Sequence, residues 1–206
     1  MQIILANGRG FCANTYILTI DGTNAIVIDP GHTGVLDELN RRGLTCCYVL
    51  LTHCHYDHVC GVPALQNAGA KVVCSELERP LVGTRADLYD LFGAPRTSYQ
   101  VDETFSDGDV LSLCGISITA YITPGHTAGG ACYLVEMDGK KVLFTGDTLF
   151  AGTIGRTDFP TGDLAVLRNS LMRLAKMEGD YVILPGHEEE TSMQTERERN
   201  PFLRVV

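Results

Sequence analysis

Basic charge is scarce in this sequence. Lysine and arginine number 16 against 25 aspartates and glutamates, for a net charge of −9. A basic footprint for nucleic acid or anionic lipid is missing, which argues against both as partners. The eight cysteines include no Cys-x-x-Cys pair. Cys12, Cys46, Cys47, Cys114 and Cys132 stand among apolar neighbours, the usage expected of reduced packing residues in a cytosolic protein. A secretory signal is not visible either: Met1-Gln2 leads straight into Ile3-Ile4-Leu5, so a cytoplasmic location is expected. Val110 to Val135 lacks Asp, Glu, Lys and Arg, which invites a membrane reading. Pro124-Gly125 and Gly129-Gly130 break that stretch, and Ser112, Ser117, Thr119 and Thr123 stud it, so it reads as sheet and loop. Linkers, repeats and low-complexity tracts are absent as well.

What is present is ordinary globular material. With 206 residues, 45% of them apolar and 20% charged, the chain is long enough to bury a substantial core, and one domain over residues 1–206 is expected. Nine short stretches rich in β-branched or aromatic residues read as strands: 3–5, 16–20, 25–29, 48–51, 72–74, 116–122, 131–135, 142–144 and 182–184. Helical patterns interleave with them. Val35, Leu36 and Leu39 make one apolar face before Gly43, and a second helix opens at Pro63 and closes at Gly69. The clearest runs from about Asp163, a plausible N-cap, to Lys176, with Leu164, Leu167, Leu171 and Leu174 on one stripe and Gly179 beyond. Strands mixed with helices imply layered sheet and helix, either α/β or α+β.

Four apolar strands end in side chains that bind metals. Tyr48 to Thr52 runs into His53-Cys54-His55-Tyr56-Asp57-His58; Ile116 to Thr123 into Pro124-Gly125-His126; Val142 to Thr145 into Gly146-Asp147; Val182 to Leu184 into Pro185-Gly186-His187. Five of the six histidines occupy these places, and only His32, after Pro30-Gly31, is left without a role. A lone His-x-His is a weak signal, since surface pairs are common. Four such elements in one chain make metal ligation the default inference. In an extended segment His53 and His55 face one side, and a bend after them brings Asp57 and His58 to an adjacent position. That gives two ligand pairs, suited to two cations. Imidazole and carboxylate suit zinc, and also iron or manganese. Asp147 is the carboxylate left to bridge.

These residues together resemble the metallo-β-lactamase fold superfamily. The matching elements are Thr52 to His58, Gly125-His126-Thr127, Gly146-Asp147-Thr148 and Gly186-His187, with Asp29 after Ala25-Ile26-Val27-Ile28 at the family's early supporting aspartate. The resemblance implies a four-layer αββα sandwich with a dinuclear site at one edge of the sheets. It implies that His53, His55 and His126 hold one metal, that Asp57, His58 and His187 hold the second, and that Asp147 bridges. Gly146-Asp147-Thr148-Leu149-Phe150 and Ile154-Gly155-Arg156-Thr157-Asp158-Phe159-Pro160 are similar to glyoxalase II-like hydrolases, and Thr195 to Leu203 to their short, single-domain members. Two features differ. Glu188-Glu189-Glu190 follows His187 where that group usually has Gly-Pro, and only 19 residues remain after His187. The helical C-terminal domain with which full-length glyoxalase II grips glutathione does not fit in them.

The chemistry implied is attack by hydroxide. Metal binding lowers the pKa of water to about 7, and two ions about 3.5–4 Å apart hold nucleophile and carbonyl oxygen together. Two divalent ions, Asp57, Asp147 and a hydroxide leave the site net positive inside a chain of charge −9, which draws an anionic substrate to the metals. A thiol with a pKa near 8.5 leaves as thiolate with little help, whereas an amide nitrogen needs a proton. A thioester therefore suits the site better than an amide, and the resemblance to glyoxalase II-like hydrolases implies one such as S-lactoylglutathione or a related acyl-thiol. Arg156 is placed to meet a substrate carboxylate, or to pair with Asp158 or Asp163. Tyr56 lines the pocket or packs, and Cys54 and Cys60 read as small packing residues.

Other readings are distinguishable. A persulfide dioxygenase shares the Gly155-Arg156-Thr157-Asp158-Phe159 stretch and uses one iron on two His and one Asp; Leu184-Pro185-Gly186-His187 favours the hydrolase. Lactone hydrolysis needs the same nucleophile and metals. β-Lactamases generally carry a Cys in the second site, flavodiiron reductases a Glu where His55 stands, and RNA-processing nucleases a basic surface. Metal binding without catalysis predicts no turnover across a broad ester panel. Gly8-x-Gly10-x-x-Ala13 loosely matches a dinucleotide fingerprint, but Asn14 to Ile20 reads as strand where a helix is required.

Overall fold

The computed structural model describes residues 1–6, 12–137 and 139–203. Gly8 and Gly10 of the loose dinucleotide fingerprint lie outside these. The segment that follows it is strand, as the sequence indicates.

Two six-stranded sheets stack face to face. The first has the order β1 (Gln2–Leu5), β2 (Tyr16–Thr19), β3 (Asn24–Ile28), β4 (Thr45–Leu50), β5 (Lys71–Ser75), β6 (Glu103–Phe105). β1 to β3 are antiparallel and β3 to β6 parallel. The second sheet contains β7 (Val110–Leu113), β8 (Ile116–Ile122), β9 (Ala131–Met137), β10 (Lys140–Gly146), β13 (Val182–Pro185) and β14 (Thr191–Ser192). β7 to β10 form a meander, and β13 pairs in parallel with β10. Between them in sequence, β11 (Leu149–Phe150) and β12 (Thr153–Ile154) make a small hairpin.

Alternation along these strands fills three layers of core. Tyr16, Leu18, Ile26, Ile28, Leu50 and Val73 of the first sheet face Ile118, Ala120, Ile122, Tyr133, Val135 and Phe144 of the second. The outer face of the first sheet, through Ile17, Val27, Val49 and Val72, packs on α1 (Val35–Arg42), α2 (Tyr56–Val59) and α3 (Val62–Asn67). The outer face of the second, through Cys132, Leu143 and Ile183, packs on α5 (Leu164–Ala175) and α6 (Met193–Arg199), while α4 (Tyr89–Phe92) lies in the long connection before β6. This is the αββα order of layers.

The helices obey local rules. Gly43 ends α1 in the left-handed conformation at φ 69°. Asp163 caps α5 by accepting from the amides of Ala165 and Val166. Leu167, Leu171 and Leu174 are buried as their spacing predicts, but Leu164, at the first turn, is 40% exposed. Val110 to Val135 is β7, β8 and β9 with their loops, and among the described residues no helix is long and apolar enough to cross a membrane.

Candidate metal centre

All four motif-bearing strands end at one edge of the sandwich. β10 and β13 are parallel and end together. β8, two antiparallel steps from β10, ends beside them. From the first sheet, β3 ends at Asp29 and β4 runs into His53 and His55. The bend expected after His55 is the short helix α2, whose first turn carries Asp57 and His58.

Among the described residues three triplets of ligand-type atoms result; one, Asp29 with His53 and His58, is the supporting carboxylate with the imidazoles it backs, and the other two face each other. One atom from each of His53, His55 and His126 lies within 4.8 Å of the others, and the same holds for Asp57, His58 and His187. Nε2 of His126 is 3.0 Å from Nδ1 of His55, and Nε2 of His187 is 3.1 Å from Oδ2 of Asp57. Asp147 stands between the triplets: Oδ1 is 3.3 Å from Nε2 of His58 and Oδ2 is 3.5 Å from Nε2 of His126. Close approach by the backbone makes this possible. A Cβ on Gly186 would lie 2.4 Å from Oδ1 of Asp147 and 2.7 Å from Cε1 of His58.

Supporting groups fix the tautomers. Nδ1 of His58 donates to Oδ2 of Asp29 at 2.9 Å, which turns Nε2 toward Asp57 and Asp147. Asp29 also accepts from the amide of Thr52 at 2.8 Å and from its hydroxyl at 2.5 Å. That hydroxyl, its own hydrogen given to Asp29, lies 3.0 Å from Nδ1 of His53 and accepts a hydrogen bond from it, leaving Nε2 of His53 free. Nδ1 of His126 donates to the carbonyl of Arg156 at 2.7 Å. Asp29 adopts φ 48°, a left-handed conformation that Asp tolerates better than most residues.

The electrostatics follow from burial and from this crowding. Burial, then the neighbouring imidazoles, push His53 well down and His55 down to about 3, and burial lowers His126. All three are neutral near pH 7 and present lone pairs. Burial also opposes charge on His58, but Asp147, Asp57 and Asp29 outweigh it and hold His58 well above its ordinary value. Against the same cost of burial, the imidazoles around Asp57 and Asp147 hold both carboxyls below the usual range.

Among the described residues, four buried side-chain atoms lack a well-aligned hydrogen bond: Nε2 of His53, His55 and His58, and Oδ1 of Asp147, the last two facing each other at 3.3 Å. Leaving one such atom unsatisfied costs about 1–3 kcal/mol. Four in one cluster, all of them good metal donors, fit divalent cations at this site.

The site opens into a cavity of about 560 Å³. His55, Asp57, His126, Asp147 and His187 reach it, and Tyr56, Leu88, Phe92, Phe150, Ile154 and Phe159 supply apolar wall. The rings of Phe92 and Phe159 meet edge to face at 5.8 Å, and Tyr56 packs on Phe92 at 5.4 Å, so Tyr56 both lines and packs. Arg156, at the rim, forms a two-pronged ion pair with Asp158 at 2.7 Å and lies 3.8 Å over the Phe159 ring. Asp163 is occupied in capping α5. His32 contacts the carbonyl of Ala6, and Cys54 and Cys60 are packing thiols that burial pushes upward. Phe92 and Leu88, on the cavity wall, were not singled out in the sequence; Thr52 was, as the head of the His53 motif, but without the supporting contact its hydroxyl makes. Thr52 was legible as the hydroxyl directly before His53.

The sequence profile of the metallo-beta-lactamase superfamily matches residues 8–187. The chain belongs to this superfamily. It is one of metal-dependent hydrolases, and the clustered His and Asp side chains accord with a divalent-metal site. Members similar to this chain include the hydroxyacylglutathione hydrolase GloC of Haemophilus influenzae, 34% identical over 98% of each chain. A probable metallo-hydrolase of Methanocaldococcus jannaschii is 33% identical over 91% of this chain and 93% of its own. Among solved superfamily structures, the BLEG-1 B3 metallo-beta-lactamase superposes with a TM-score of 0.85 at 30% identity, covering 94% of this chain and 95% of its own. ETHE1 from Myxococcus xanthus gives 0.78 at 26% identity, over 98% and 84%. TTHA1623, solved in a di-iron-bound form, gives 0.82 at 28% identity, over 98% and 100%.

Proposed function

We propose that this chain is a dinuclear-metal hydrolase acting on a thioester, such as S-lactoylglutathione or a related acyl-thiol. The observation that carries the reading is the pair of adjacent triplets with Asp147 between them, reached from an apolar-walled cavity. In this reading His53, His55 and His126 would hold one divalent ion, Asp57, His58 and His187 would hold the other, and Asp147, whose oxygens face both sets, would serve both. Zinc is the expected metal, with iron or manganese suited to the same donors.

When bound, the ions supply Lewis acidity and a hydroxide nucleophile near neutral pH. The chain's own residues do the rest. Asp29 and Thr52 hold His58 and His53 with Nε2 turned inward. Phe92, Phe150 and Phe159 exclude water and give the acyl group an apolar surface. Beyond the triplets and Asp147, the ionisable lining consists of Tyr56, Arg156 and Glu188. Burial, then Asp57, push Tyr56 above its ordinary value, so it is a poor proton donor at neutral pH. A leaving group that departs as thiolate suits such a cavity better than an amine. Arg156 meets a carboxylate on the substrate by exchanging it for Asp158. The likeness to GloC supports the thioester class. Residues 1–206 act as one metallo-hydrolase domain, and eight unbridged cysteines suit the reducing cytoplasm.

The likeness to ETHE1 fits this reading and a second one, a mononuclear-iron persulfide dioxygenase. Metal analysis of the purified protein, combined with turnover of S-lactoylglutathione, a simple acyl thioester, a lactone and a persulfide, separates them. Two ions per chain with thioester hydrolysis is the expected result. One iron per chain with oxygen uptake on the persulfide overturns it.

A further inference from the structure

The first triplet is assembled from two loops that belong to different sheets. His53 and His55 follow β4, and His126 follows β8. A single buried carboxyl joins these loops. Glu78, in the turn after β5, is 0% exposed. Its Oε1 accepts the amide of Cys54 at 2.8 Å; its Oε2 accepts the hydroxyl of Thr127 at 2.8 Å and the amide of Gly129 at 3.1 Å. Cys54 stands between His53 and His55, and Thr127 follows His126. Ser75 reinforces the join: its hydroxyl donates to the carbonyl of Gly129 at 2.5 Å and accepts the Glu78 amide at 3.0 Å. The fit is tight, since a Cβ on Gly129 would lie 2.1 Å from the Glu78 nitrogen.

Every partner of Glu78 is an uncharged donor, and each lies in, or next to, a segment that presents a first-triplet imidazole. None lies on α2 or after β13, the segments that present Asp57, His58 and His187. We propose that Glu78 is a positioning residue for the ion held by His53, His55 and His126, setting the spacing of the two loops from behind. This rests on the metal assignment above. A carboxylate is suited to the task because both its oxygens accept, and the hydrogens offered by Cys54, Thr127 and Gly129 all point at it. Glutamine has the same shape but offers one oxygen. Its NH₂ would face either the Cys54 amide or the pair at Thr127 and Gly129, so one loop loses its tether.

The test reads metal affinity triplet by triplet, in protein stripped of metal and titrated with zinc against a competing chelator. In a His187→Ala background, which reads the first triplet, Glu78→Gln is expected to weaken zinc binding about 10- to 100-fold, the usual effect of removing a group that orients a metal ligand. In a His126→Ala background, which reads the second, it is expected to leave affinity within about threefold, a change too small for a lost orienting group. Thr127→Val removes only the hydroxyl donor and is expected to give a smaller loss confined to the first triplet; it carries the test if Glu78→Gln does not fold. Equal weakening of both triplets, together with a lower metal-free melting temperature, would make Glu78 a merely structural residue and overturn the proposal. Unchanged first-triplet affinity would overturn it too. Absence of zinc binding by the otherwise unaltered protein would defeat the metal site itself, and the proposal with it.

Discussion

Nδ1 of His58 and Oδ2 of Asp29 lie 2.9 Å apart, both side chains almost entirely buried. The same carboxylate takes both hydrogens of Thr52, so it orients His58 directly and His53 through the Thr52 hydroxyl. Asp29→Ala is therefore expected to weaken zinc binding about 10- to 100-fold at both triplets. It also strands buried donors, at about 1–3 kcal/mol each, so the metal-free protein should melt at a lower temperature. Zinc titration and thermal melts in chelator check both effects. Asp29→Asn keeps one acceptor oxygen and should fall between Asp29→Ala and the unaltered protein.

Asp147 is the group whose two oxygens reach toward both triplets. Asp147→Ala is expected to remove at least one ion per chain and to lower thioester hydrolysis more than about 100-fold, beyond what loss of a supporting group costs. Far-UV circular dichroism should be nearly unchanged, because Asp147 lies in a loop after β10. His55→Ala should behave alike. Full metal content with full rate in either variant would refute the assignment.

Gly186 donates to the carbonyl of Gly146 at 2.8 Å and accepts the Asn14 amide at 2.6 Å, which pins it against Asp147. One methyl group there would collide with Asp147 and His58. Gly186→Ala leaves every ligand-type side chain in place, yet it is expected to lower metal content and activity together. Metal analysis and turnover on one preparation test this, and unaltered values would show that the loop yields.

Stability without metal should depend on pH. His53, His55 and His126 are held below the ordinary value near 6.5 by burial first, His55 at about 3. The unfolded chain binds protons on these residues as pH falls through about 6.5, while the folded chain does not, so their contribution is lost on acidification. His58 works the other way: its raised value stabilises the fold below about 6.5, and that contribution is lost as pH rises through its folded value. Three groups oppose one, so the melting temperature of chelated protein should fall between pH 7.5 and 5.5. A rise would show that His58 dominates.

The triplets were legible because each member follows an apolar strand and a turn, a pattern that survives in one dimension. His53, His126 and His187 illustrate this. The sheets were legible where strands are long or buried, as at β8 and β10. β6, β7, β11, β12 and β14 were not among the nine stretches because they have two to four residues, too few for alternation to carry a periodic signal. α2 and α4, with four residues each, are helical through packing rather than pattern. Glu78 was illegible for a different reason. A lone acid is ordinarily a solvated surface group, and its partners stand 24, 49 and 51 positions away.

The two sheets contribute unequal halves of the proposed cation site: His53, His55, Asp57 and His58, backed by Asp29, follow strands of the first, and His126, Asp147 and His187 follow strands of the second. An ion seated there is a rivet through the seam of the sandwich. Its binding energy is available only when the halves stand together, so it adds to the free energy that keeps them closed. In the proposed reading, a chain starved of cations would keep its three apolar layers and lose the fastener at its working rim. Resistance to proteolysis then becomes a gauge of cation supply.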